Sequence, residues 1–209
     1  MERKLFTFYF LTSNRRNMRV PLKIQGVTDV NSENMFSLLI VTDIKEERQM
    51  AIMVDPNMRH EFALRRGKYV GNDVQRKNAT EMLSLMLPET LCSIIKYMTQ
   101  LELSVIIVNI FDGEYKAILE DQKTGTTFPI RISDGILLAY ADPHIPLYIE
   151  ETLWKNQSTK YMGENARGIS LPLNTLTTEM LKDAMQKCID DEKYEIAEQL
   201  KKELERRGS

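Results

Sequence analysis

Residues 58 to 78 hold six basic side chains, Arg59, Arg65, Arg66, Lys68, Arg76 and Lys77, against two acids, Glu61 and Asp73. A local surplus of four positive charges can follow a phosphate backbone, because each neutralised phosphate releases counterions. Tyr69 beside them could stack on a base. The same charges also suit the solvated face of a helix and its loop, the more ordinary use of such a run. Nucleophilic chemistry has less to draw on. The two histidines, His60 and His144, have no obvious partner, and the two cysteines, Cys92 and Cys188, each lie in an apolar, helix-like run. A serine or cysteine nucleophile activated by histidine is therefore poorly supported. The nine glycines are scattered, with no phosphate-binding loop, dinucleotide fingerprint, nucleophile elbow or zinc-ligand spacing.

Taken whole, the chain is not basic. Its 209 residues carry 28 Lys and Arg against 30 Asp and Glu, a formal net charge of -2, which excludes a globally basic nucleic-acid coat protein. A 43% hydrophobic and 28% charged composition suffices for a sizeable core. Two cysteines make no disulfide framework and suit a reducing compartment. Near the N-terminus, Leu5 to Leu11 follow Arg3 and Lys4 in imitation of a signal peptide. That run lacks a small-residue cleavage site, is too short to cross a bilayer and meets Arg15, Arg16 and Arg19. The reading is a cytoplasmic protein with no membrane partner, and residues 1–18 as an extension.

The elements that must position any site follow from periodicity. Strand-like runs at Leu22 to Val27, Phe36 to Thr42 and Gln49 to Val54 precede a helix, with Asp55 as N-cap and Pro56 at its first position. Gly67 to Lys77 reads as a loop. Apolar residues at helical spacing then run from Met82 to Met98, with Pro88 as a break between two helices. Three further strands follow at Ser104 to Phe111, Glu114 to Glu120 and Thr126 to Ile132, and Asp112-Gly113 is a strong hairpin signal. Ser133 can cap a helix from Asp134 to Ala141, and a strand from Pro146 to Ile149 leads into a helix at Glu150. Three strands then helices thus occurs twice, an internal duplication. Lys155 to Thr175 lose the apolar period and read as a linker. Leu181, Met185, Cys188 and Ile189, then Ala197, Leu200 and Leu204, form the stripes of a helical hairpin.

The segment RISDGILLAYADPHIPLYIEETL, Arg131 to Leu153, resembles the signature of the bifunctional nuclease (BFN) domain family. The pattern is met by Arg131, Ser133, Asp134, Gly135, Ile136, Leu138 and Ala139, then Pro146, Leu147, Tyr148 and Ile149, then Glu150 and Glu151. The preceding VNIFDGEYKAILE is similar to the family's strand, Asp-Gly turn and strand. The C-terminal hairpin resembles the UVR motif, which follows the BFN domain in some bacterial members. That match lies in Leu181, Met185, Ile189, Tyr194, Glu195, Ala197, Leu200 and Leu204.

The resemblance implies an α+β fold: a duplicated three-strand-plus-helices unit forming one barrel-like sheet, then a C-terminal α-helical hairpin. The organisation expected is an extension over residues 1–18, a BFN-like domain over 19–154, a linker over 155–175 and the UVR-like hairpin over 176–209. It implies hydrolysis of phosphodiester bonds of RNA or DNA with a divalent cation, magnesium or manganese. Asp134, Glu150 and Glu151 would be the catalytic carboxylates, with Asp134 and Glu150 on the metal. Arg131 and Ser133, with Arg65, Arg66 and Lys68 from the basic stretch, would bind substrate. Asp134 and Glu150 at helix starts would equally offset helix dipoles, an effect of about 0.3 to 1 kcal/mol.

Two departures carry an alternative. Met58 stands where the family has an acid, and Pro88, Glu89 and Thr90 stand where it has a His-Asp pair. A catalytically degenerate BFN-like scaffold would then act through protein-protein contacts or self-association of residues 176–209.

Overall fold

The computed structural model describes residues 18–29, 37–55, 57–67, 73–161, 163 and 173–208; residues 1–17, read above as most of an extension, lie outside them. The first unit is β1 (Arg19–Asp29), β2 (Ser37–Asp43), β3 (Arg48–Val54) and α1 (Asn57–Gly67). Next come α2 (Asp73–Leu83) and α3 (Leu87–Met98). The second unit is β4 (Leu103–Phe111), β5 (Glu114–Asp121), β6 (Thr127–Arg131) and α4 (Ile132–Ala141). Then follow β7 (Leu147–Glu150), α5 (Glu151–Gln157), β8 (Thr159–Lys160), a 3-10 turn at Leu173–Thr175, α6 (Thr178–Asp190) and α7 (Tyr194–Gly208).

All eight strands join one mixed sheet in the order β6-β5-β4-β7-β1-β2-β3-β8. Each unit is an antiparallel meander, and the short β7 lies between them, antiparallel to β1 and parallel to β4. The two units therefore run outward from β7 in opposite senses. Turn chemistry repeats as well. Asp43, ending β2, accepts the amide hydrogens of Glu47 and Arg48 at 2.8 and 3.2 Å, and Asp121, ending β5, accepts those of Glu102 and Lys123 at 3.2 and 3.3 Å. Such aspartate-to-backbone bonds close a turn without a glycine at each position. Between β4 and β5 the tight turn is Asp112-Gly113, with φ of 47° and 78°, as a two-residue hairpin of matching twist requires.

The core lies between the sheet and the helices. Leu39, Val41, Ile52, Val105, Ile107 and Ile149 from the strands meet Ile136 of α4, all fully enclosed. α4 sits close because Gly135 has no Cβ: one added there would meet Val105 Cγ1 at 2.9 Å. Phe62 of α1 and Tyr140 of α4 pack with ring centroids 4.5 Å apart, so the two unit helices touch.

The structure departs from the sequence reading at several points. Among the described residues the strand order has two unpaired ends, β6 and β8, so the sheet is not closed where a barrel-like one was expected. Helix α2 begins at Asp73, inside the stretch read as a loop, because its composition is helix-compatible despite a weak apolar period. Residues 155–160 are not linker: α5 runs to Gln157 and β8 pairs with β3 in the register Arg48↔Lys160. Arg48 Nε donates to Ser158 Oγ at 2.7 Å, a tertiary bond that no local pattern announces. The break at Pro88 does occur, the proline entering the first turn of α3, where its missing N–H costs nothing.

The hairpin of α6 and α7 has its own small core of Leu181, Ala197 and Leu200. It docks on the β4–β5 turn, where Thr178 donates to Asp112 Oδ1 from its amide at 3.0 Å and its hydroxyl at 2.6 Å. Arg207 of α7 reaches Asp112 Oδ1 at 3.2 Å and the carbonyl of Leu176 at 2.7 Å. Among the described residues no helix is long and apolar enough to cross a membrane.

Candidate functional site

Arg131 ends β6, and α4 starts at once with Ile132. Arg131, not Ser133, is the N-cap, and no side chain caps this helix. Ser133 is buried in the first turn, so the expected roles of Ser133 as cap and as substrate contact both meet an enclosed side chain. Asp134 sits one residue further and binds Arg131 through two bonds, Nε to Oδ2 at 2.9 Å and Nη2 to Oδ1 at 3.2 Å. Both side chains are largely exposed. The hydrogen bonds it donates to Asp134, then the charge of that carboxylate, hold the Arg131 guanidinium still more firmly protonated.

Asp55, at the exit of β3, adds to that field. β3 and β6 lie far apart in the strand order, so the convergence is tertiary: α1 and α4, which follow these strands, pack on each other. Asp55 is the acid that sequence reasoning assigned only a capping role. The repeat itself held the signal, since Asp55 follows the third strand of one unit as Ser133 follows that of the other.

Glu150 and Glu151 end β7 and start α5. Glu150 lies opposite Arg19 in the β1–β7 register and its charge acts on Arg19. Arg19 in turn donates through Nη2 to Glu120 Oε1 at 2.9 Å. Glu151 pairs with Lys155 at 2.7 Å along α5. The three expected catalytic acids thus fall into three groups, Asp134 with Arg131, Glu150 with Arg19 and Glu120, and Glu151 with Lys155.

The basic stretch divides too. Arg65 turns inward with a side chain only 3% exposed, pairing with Glu61 at 2.6 Å and Glu89 at 2.9 Å. Two carboxylates occupy its fork, so it is a packing element and not a phosphate contact. Glu89, from the segment that departs from the family pattern, holds this arginine, while Met58, the other departure, is core. Arg59, Arg66 and Lys77 are exposed, and Lys68 and Tyr69 lie outside the described residues.

The acids expected on a divalent cation lie beside arginines in this arrangement. Both oxygens of Asp134 are engaged by Arg131, Glu150 faces a different arginine, and the described residues contain no group of three or more His, Cys, Asp or Glu placed to hold an ion. Cysteine chemistry is disfavoured: burial pushes the Cys92 thiol up to about 11, so little thiolate exists near neutral pH.

No family model matches the chain, and no curated protein matches it.

Proposed function

We propose that this protein hydrolyses phosphodiester bonds of RNA or DNA at the surface cluster of Arg131, Asp134 and Asp55. The observation that supports it is the exposed bidentate pair of Arg131 and Asp134 beside a further acid. A phosphate competes for the planar fork of Arg131, and displacement frees Asp134 as a carboxylate beside the phosphorus centre, where it can take a proton from attacking water. Asp55 adds a weaker negative charge to the field around the guanidinium, which is charged in any case. Magnesium or manganese enters as an assay variable, and no step is assigned to either. A reducing cytoplasm suits two cysteines that are both unpaired.

The test is cleavage of labelled single-stranded RNA and DNA by wild type, Asp134→Ala and Arg131→Ala, in magnesium, manganese or EDTA. Loss of cleavage by at least about a hundredfold in either variant is expected. Equal cleavage by all three proteins, or none by any, would overturn the reading.

A second reading rests on a different observation. Ile189, Tyr194 and Ile196 leave apolar surface exposed near the turn of the α6–α7 hairpin, as a BFN-like scaffold recruiting a protein partner would require. Partner recovery unaffected by Tyr194→Glu with Ile196→Glu would count against it.

A further inference from the structure

Helix α3 buries Cys92 on its inner side and leaves a second apolar arc open to water. Leu87, Leu91, Ile94 and Met98 are 77, 36, 45 and 79% exposed, and their spacing of four, three and four residues is that of a helix–helix seam. Met82, Leu85, Tyr97 and Leu101, before, on and just after α3, are exposed as well. Taking about 150 Å² per fully exposed large side chain, the eight residues offer on the order of 700 Å². That exceeds the roughly 300–600 Å² of the largest patch on a typical monomer and approaches the roughly 800 Å² per partner of a stable interface.

We infer that this face pairs with α3 of a second copy, the two helices antiparallel about a two-fold axis. The seam reads the same from either end. About a centre between Cys92 and Ser93, Leu91 mirrors Ile94 and Leu87 mirrors Met98, with Leu85 and Leu101 near the two ends. An isologous contact needs this self-complementarity, because residue i meets j while j meets i; a foreign partner would not require it. Charge agrees. α3 carries only Glu89 and Lys96; Glu89 is turned inward to Arg65 and Lys96 lies over the Tyr97 ring at 5.5 Å. Two copies therefore bring no like charges together along the seam. The inference is independent of any hydrolytic activity, since Arg131 and Asp134 are not on this helix.

Sedimentation and light scattering of the full chain across micromolar concentrations should show a dimer. Leu91→Lys with Ile94→Lys should weaken it by at least about a hundredfold, with far-ultraviolet circular dichroism unchanged. If that variant does not fold, Leu87→Lys with Met98→Lys, at the two most exposed positions of the seam, makes the same test. Register is tested in a Cys188→Ser background. A mixture of Leu91→Cys and Ile94→Cys proteins should form a disulfide-linked pair on mild copper-phenanthroline oxidation, faster than either alone. A monomer at all concentrations, a dimer surviving the lysines, preferential crosslinking of Leu91→Cys to itself, or dissociation only by Ile196→Glu on the hairpin would each overturn the inference.

Discussion

The two three-strand units use their arginines in opposite ways. In the first, Arg65 of α1 folds back between Glu61 and Glu89 and is almost wholly enclosed. In the second, Arg131 stands at the strand end with its partner Asp134 on the surface. An enclosed guanidinium has no water to replace a lost carboxylate, whereas an exposed one is solvated on either side of the exchange. One repeat thus spends its charge on joining α1 to α3, and the other leaves a charge pair that an incoming anion can open.

Breaking the enclosed pair should give the largest effect. Arg65→Met strands two acids at the edge of the core and should lower stability by about 3 kcal/mol, or about 10 °C in the unfolding midpoint; Arg131→Met should cost less than about 0.5 kcal/mol. Thermal and urea unfolding of both proteins checks the contrast, and equal losses would erase it.

A second difference lies in how the second unit is covered. Gly113 has a φ of 78°, and a Cβ there would meet the backbone carbonyl carbon of Leu176 at 2.7 Å. Gly113→Ala should therefore cost about 1–3 kcal/mol and loosen the hairpin. Amide exchange in the first turn of α6 reports it, the strands of the first unit remaining protected.

Smaller still is a pH effect at the same place. Hydrogen bonds from Thr178, with help from Arg207, hold the Asp112 carboxyl below its ordinary value. Its contribution is thus complete above the ordinary carboxylate pKa of about 4 and is lost as pH falls through the lower folded value. Exchange at the start of α6 should accelerate in that acid range, and Asp112→Asn should remove the dependence. Finest of all is a thiol comparison: with burial raising Cys92 and Cys188 only partly covered, maleimide near neutral pH should label Cys188 first.

Much of the scaffold was legible in the chain. Six strands of the meanders, the Asp112-Gly113 turn, the break at Pro88 and the C-terminal hairpin each follow from period-two or helical spacing and from local turn chemistry. β8 escaped because a two-residue strand exists only by pairing with β3. The site was half legible. Arg131 and Asp134 are three residues apart and meet at a strand-to-helix junction, so spacing alone brings them within reach. Glu150 could not be placed by spacing, because Arg19, which lies opposite it, comes from a strand more than a hundred residues earlier. Arg65 looked like its neighbour Arg66, and only the approach of α3, carrying Glu89, separates the two.

The sequence by itself determined most of the strands and helices, the repeat of the three-strand unit, and the placing of Arg131 and Asp134 three residues apart at one strand-to-helix junction. These depend on contacts within a turn or two of chain, where geometry is nearly fixed by residue type. The tertiary structure decided the open order of the sheet, the burial of Arg65, the approach of Asp55 to Arg131 and the exposure of the α3 seam. Each turns on which face of an element another element covers, and solvation, which sets whether a charge binds, packs or reacts, is fixed only once that covering is in place.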